Sequence, residues 1–236
     1  MKLIKEVDFT KTRSLDRDMF TVAVGKKWAN EELQQYVDDD NHLYFDEHGM
    51  HIKATYSEEE GYMSTRIHTK DKFTFQYGKI DIVAKVPKGR GTWPALWMMS
   101  NDMRYGGWPK SGEIDIMEHT GNHCDELFLA LHTEAYNHTK ASEYLTKLQV
   151  EGLSDDYQKF SLLWTDSFIE YFLNDASVAK YEKGEDGKDE SHRGWPFNHP
   201  YYLLINLAVG GTFGGKAVKE DFPQVFSVKS IKLYQE

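Results

Sequence analysis

Short runs that alternate apolar and polar residues, each closed by turn residues, recur along the whole chain, and clean helical periodicity is scarce. "YGKIDIVAKVP" sets Ile80, Ile82, Ala84 and Val86 on one face against Lys79, Asp81 and Lys85 on the other, and Pro87 ends the run. "KFSLLWTDSFIEYFLNDASVAKYE" reads as three strands joined through Thr165-Asp166-Ser167 and Asn174-Asp175, the spacing of an antiparallel meander. "YYLLINLAVGG" is apolar on both faces, as a strand covered on each side must be, and Asn206 is its one polar interior residue. The polar, Gly-bearing stretches 100–112 and 182–194 have no period and read as loops. With no internal repeat or low-complexity linker, the pattern predicts an all-β chain folded as a two-sheet antiparallel β-sandwich. All-β units commonly reach this length, so residues 1–236 are expected to form a single domain, with an N-terminal strand region in 1–20.

One segment departs from the alternation. "GEIDIMEHTGN" puts Glu113, Asp115 and Glu118 into a run otherwise made of Ile and Met. In a strand Glu113 and Asp115 share a face, and Glu118, three residues on, points the other way. One extra residue restores the phase, so a β-bulge near Ile116-Met117 is expected, a device over-represented beside active sites. An arbitrary E-x-D-x-x-E is ordinarily an exposed strand face, but apolar flanks favour burial here. Crowded, partly buried carboxylates cannot all ionise, which gives an ionised group beside a protonated one, the combination that glycosidic cleavage requires. A calcium cluster is the competing reading, but three acids along one strand make a row rather than a cage.

Composition narrows the partners. There are 38 Asp plus Glu against 28 Lys plus Arg and no dense basic run, so nucleic acid and anionic membrane are poor partners. No stretch approaches the roughly 20 apolar residues that cross a bilayer, and "MKLIKEVDFTKTRS" lacks the long apolar segment of a signal peptide. Cys124 is the only cysteine, which leaves no intramolecular disulfide and no multi-Cys zinc site. The unusual component is aromatic: 6 Trp, 14 Tyr and 13 Phe, with several Trp beside Gly, Pro or polar residues, where a ring faces a ligand more readily than a core. Trp108, in "GGWPKSGE", stands in a polar loop just before the acidic strand and reads as a sugar platform.

"SGEIDIMEHTG", "YGKIDIVAKVPKGRGTWPALWMM" and "YYLLINLAVGGTFGG" occur in this order, and together they resemble the laminarinase-like members of glycoside hydrolase family sixteen, over about Trp28 to Glu236. The resemblance implies a β-jelly-roll with an open cleft on its concave face and endo-acting, retaining hydrolysis of β-1,3- and mixed-linkage β-glucans. A monomer acting on β-glucan without a cofactor is expected. It implies Glu113 as nucleophile, Glu118 as acid/base and Asp115 as the group that tunes the nucleophile between them. It places Trp97 under the sugar at the cleavage point with Trp93 nearby, although Trp93 reads equally well as core. Asn30 and Arg66 match positions that hydrogen-bond sugars on the non-reducing side, His132 a position beside the acid/base, and Asn206 joins the substrate-binding set.

Other readings compete at particular residues. His132, Glu134 and His138 invite a zinc site, but H-x-E-x-x-x-H fits no familiar zinc spacing. Many relatives carry a structural calcium held partly by an Asp near the C-terminus; Lys229 stands there in "SVKSIKLYQE", so no metal is expected. A non-catalytic carbohydrate-binding jelly roll would need the aromatics but has no use for two Glu flanking an Asp. A relative acting on another polysaccharide, such as agar, carrageenan or xyloglucan, is a further alternative; sulfated galactans would call for a basic cleft, against a net charge of −10. Most relatives act outside the cell, and the sequence leaves the compartment open.

Overall fold

The alternation read from the sequence becomes the inner and outer faces of two sheets in the computed structural model, which describes all 236 residues. Chain order gives β1 (Lys2–Asp8), β2 (Thr21–Ala23), β3 (Gln35–Tyr36), β4 (Leu43–Asp46), β5 (Gly49–Ser57) and β6 (Gly61–Ser64). There follow β7 (Arg66–His68), β8 (Thr74–Phe75), β9 (Gly78–Lys85), β10 (Thr92–Ser100), β11 (Glu113–His119) and β12 (Glu126–His132). The last are β13 (Tyr144–Gln149), β14 (Gln158–Trp164), β15 (Phe168–Leu173), β16 (Ala176–Glu182), β17 (Tyr201–Val209) and β18 (Gln224–Gln235), with a single helical turn, α1 (Gly211–Gly214), after β17.

One sheet runs β16-β15-β14-β9-β18-β5-β6-β3, with β1 added to β18 and β4 to β5; the other runs β13-β12-β11-β10-β17-β7-β2, with β8 added to β17. This is a β-sandwich of the jelly-roll type. The meander of β14, β15 and β16 forms with its predicted turns at 165–167 and 174–175. β17 is buried along its whole length, as its two apolar faces require. Pairing is antiparallel except between β3 and β6, which run parallel. Between the sheets, 42 buried apolar side chains form one continuous cluster, to which β11 gives Ile114, Ile116 and Met117 and β17 gives Leu203, Ile205 and Leu207. The intervening residues of these strands, Asp115, Asn206 and Ala208 among them, therefore face outward, and the cleft is built on that outer face.

Two details differ from simple alternation. Asp81, on the polar side of β9, is only 8% exposed, because its strand lies in the middle of the sheet and Lys79 covers it at 2.9 Å. Lys229 falls where the β18–β9 register shifts, between Val228 and Ser230, and its ammonium lies 4.2 Å from the centre of the Tyr157 ring. A cation stacked on an aromatic face occupies the place where the family resemblance would put a calcium ligand, so these residues do not fit that ion.

Candidate active site

Backbone register decides where the three carboxylates point. On one side of β11, Asp115 pairs with Trp97 and Met117 with Leu96, which leaves Ile116 without a partner on β10. On the other side, Asp115 pairs with Ala130 and Glu118 with Phe128, so Ile116 and Met117 together face one residue of β12. This is the expected β-bulge. Ile116 and Met117 both turn inward, 1% and 0% exposed, and Glu118 returns to the face of Glu113 and Asp115. Gly112 sets the start of the strand: its φ is 81°, and a Cβ there would lie 2.4 Å from the Tyr201 hydroxyl, which itself donates to the Ser111 carbonyl.

Across the sheet the register aligns Arg66, Asn206, Ala95 and Glu118 in one row over β7, β17, β10 and β11. The small side chains of Ala95 and Ala208 leave room above them, and the large ones beside them form walls. The result is a cavity of about 280 Å³. Of the residues expected at the site, Glu113, Asp115, Glu118, Asn30, Arg66, Trp93, Trp97, Trp108 and Asn206 all line it. His132 does not. It pairs with Glu113 across β12 rather than with Glu118, and its Nε2 stands 3.3 Å from Asp115 Oδ2 and 4.0 Å from Glu113 Oε1, behind the carboxylates.

Besides the small Ala29, Ala95 and Ala208, four lining residues were not expected from the sequence: Trp28, Glu32, Met99 and His138. Glu32 sits within the polar run "NEELQQY", which looks solvent-exposed. Left-handed φ values at Asn30 and Glu31, both 59°, bend the chain so that Glu32 enters the cleft. His138 comes from the motif read for zinc. Its ring lies 5.0 Å from Trp108 and 5.1 Å from His132, whereas Glu134 faces Arg193 at 3.6 Å.

Hydrogen bonds fix the aromatic walls. Trp97 Nε1 donates to Asn206 Oδ1 at 2.7 Å, Asn206 Nδ2 donates to the Tyr36 hydroxyl at 3.2 Å, and that hydroxyl donates to Glu32 Oε2 at 3.4 Å. Arg66 lies between two indoles, 4.8 Å from the Trp97 ring centre and 5.2 Å from that of Trp28. Trp93 Nε1 donates to Glu118 Oε1 at 2.9 Å, so Trp93 belongs to the site and not to the core.

Burial is the main force on the acids. It pushes Glu118 up to about 8, assisted by the charge of Asp115 and opposed by the Trp93 hydrogen bond and by His132. Burial pushes Asp115 up to about 8 and Glu113 well above the usual carboxylate range, the second effect of size on Glu113 being repulsion from Asp115. Two carboxyls this close cannot both ionise, so the pair shares a proton. An ionised carboxylate and a protonated acid then coexist on one face. Ligand atoms of Glu113, Asp115 and His132 lie within 4.8 Å of one another. Metal binding would require the Glu113–Asp115 pair to give up the proton it shares, so these residues suit proton chemistry better than a cation.

The model of the family described as "Glycosyl hydrolases family 16" matches residues 24–222. A beta-glucanase of Rhodothermus marinus is 35% identical over 219 residues, 89% of this chain and 77% of that protein. The solved structure of a laminarinase from Flavobacterium sp. UMI-01 superposes with a TM-score of 0.91 at 32% identity, over 99% of this chain and all of the other. That of SCLam, a non-specific endo-beta-1,3(4)-glucanase, gives a TM-score of 0.90 at 27% identity, over 99% and 91%.

Proposed function

The chain belongs to the glycosyl hydrolases of family 16, and from that premise we propose that it cuts β-1,3- and mixed-linkage β-1,3-1,4-glucans within the polymer, with retention of anomeric configuration. One observation carries the reading: a bulged strand turns Glu113, Asp115 and Glu118 onto one face of a cleft walled by four indoles.

In the first step the ionised Glu113 attacks the anomeric carbon while Glu118 gives its proton to the departing sugar oxygen. In the second, Glu118, now ionised, takes a proton from water as that water displaces Glu113. Asp115 holds the proton it shares with Glu113, which moderates the nucleophile's charge without removing it. Trp97, Trp93, Trp28 and Trp108 offer flat apolar faces to the C–H faces of glucose rings, and Asn30, Arg66 and Glu32 offer polar atoms to the hydroxyls. Residues 1–236 would act as one catalytic unit and as a monomer, with neither cofactor nor metal.

The test is a reducing-sugar assay of the purified protein on laminarin, barley mixed-linkage glucan, agarose and xyloglucan, with Glu113→Gln in parallel. Activity on the first two that disappears in the variant is expected. Silence on all four with retained glucan binding would mean a binding fold instead.

A further inference from the structure

The indole of Trp93 does more than bound the cleft. Trp93 lies two residues from Ala95 on β10, and Ala95 is the ladder partner of Glu118, so the indole reaches the carboxyl diagonally across the pair. Its Nε1–H meets Oε1 at 2.9 Å. The ring is held from behind: Phe213, on α1, lies 5.2 Å from it and 4.9 Å from Phe128, and Phe128 pairs with Glu118 across β12. A Cβ on Gly214 would come within 3.2 Å of Trp93 Cβ, so the turn carrying Phe213 is pressed against this side chain. Trp93, Phe213 and Phe128 therefore surround one side of Glu118.

We infer that Trp93 is a positioning residue for proton transfer: by occupying Glu118 Oε1 as a donor, it leaves Oε2 as the oxygen that carries the transferable proton into the cleft. This rests on the reading of Glu118 as acid/base. An indole N–H can only donate, so the oxygen it engages must stay an acceptor in both states of the carboxyl. In the first half-reaction Oε2–H breaks and its proton goes to the glycosidic oxygen as the C–O bond breaks and Glu113 bonds to the anomeric carbon. Trp93 keeps its bond to Oε1 and strengthens it as charge appears. In the second half-reaction the proton of the attacking water returns to Oε2.

The titratable groups facing Glu118 are Glu113 and Asp115 on its own strand and His132 on β12; β10 presents only neutral side chains, Trp93, Ala95 and Trp97, and α1 presents Phe213. Trp93 is thus the one donor seated on the carboxyl itself, and its hydrogen bond favours the ionised form against burial.

Trp93→Phe keeps an aromatic wall and deletes the N–H. The basic limb of the kcat/KM–pH profile on laminarin should move upward by about one pH unit, because the donor that stabilises the anion is gone. At neutral pH kcat should fall about tenfold or more on polymer, and less on an aryl β-glucoside oligomer whose leaving group needs little protonation. An unmoved basic limb, with equal losses on both substrates carried by KM, would overturn the inference and leave Trp93 a sugar platform. If Trp93→Phe does not fold, 3-benzothienylalanine at position 93 retains the bicyclic shape without the N–H, and the same two outcomes apply. Glu118→Ala in parallel separates this inference from the reading beneath it. Rescue by azide, giving a β-glycosyl azide, upholds Glu118 as acid/base whatever Trp93 does, and wild-type turnover by Glu118→Ala removes both.

Discussion

Asp115 lies directly across the ladder from Trp97, while the next pair along is Met117 with Leu96, and Ile116 between them has no partner. That single unpaired residue sets the phase of Glu118. Deleting Ile116 gives E-I-D-M-E, a strictly alternating strand that still presents all three acids to the cleft. The variant should retain endo-activity while losing on the order of 2–5 kcal/mol of stability for one buried isoleucine. Deleting Ile114 instead removes a side chain that is equally buried but sends Glu113 to the core face, and activity should vanish. Comparable activity in the two variants, measured beside their melting temperatures, would show that phase is not what the bulge provides.

The pH profile follows from the raised acids. Glu118 must be protonated to cleave, and burial first, then the charge of Asp115, sets it at about 8. The kcat/KM on laminarin should therefore hold below pH 8 and fall as pH rises through it. The acid limb belongs to the Glu113–Asp115 pair, which must release one proton to supply the nucleophile, and both members are pushed upward by burial. A narrow bell is expected, and Glu113→Gln leaves no activity for either limb to shape.

The same shift bears on stability. With a folded pKa of about 8 against 4.5 when unfolded, Glu118 makes folding take up a proton between those values. Stability from this group is complete below about 4.5 and declines as pH rises towards 8. Glu118→Gln removes the titration and still accepts the Trp93 hydrogen bond. It should be more stable than the parent by about 3 kcal/mol at pH 7, several degrees in melting temperature, and equal to it near pH 4. A gap that persists unchanged at pH 4 would point to packing instead.

Much of this site was legible in the sequence because its signals are local. Three acids at i, i+2 and i+5 in an apolar run demand a bulge, and the meander announces its turns by Asp, Ser and Asn. What escaped depends on pairing between distant segments. Glu32 looks like surface until the left-handed turn at Asn30 and Glu31 delivers it to Tyr36 and, through Asn206, to Trp97, 170 residues separating Tyr36 from Asn206. His132 pairs in register with Glu113 while also acting on Glu118, a placement that only strand pairing reveals. Trp28 becomes a wall through long-range contacts, with Arg66 between it and Trp97 and with Tyr36 5.0 Å from its ring.

That long-range chain makes its own prediction. Asn206 is 6% exposed, accepts from Trp97 and donates to Tyr36, so Asn206→Leu cuts both links. The Trp97 plane loses its anchor. KM for laminarin should rise about tenfold, and stability should drop by about 1–3 kcal/mol for a buried hydroxyl left with fewer partners. An unchanged KM with the stability loss alone would make the chain a folding device and not a substrate one.

Trp108 has the opposite profile. It is 37% exposed, it precedes the acidic strand in a loop, and its ring lies 5.0 Å from that of His138 at an interplanar angle of 33°. The indole thus has one face toward a histidine whose protonation burial disfavours, and it borders the cavity. Trp108→Ala removes area that a glucose ring would cover but little that the core relies on. Polymer affinity should fall by about tenfold, an aromatic–sugar contact of roughly 1–2 kcal/mol, while the melting temperature moves by no more than a degree or two. His138→Ala, which takes away only the support, should weaken binding less. A collapse in melting temperature for Trp108→Ala would reassign the residue to packing, and binding curves on laminarin for both variants decide between the two roles.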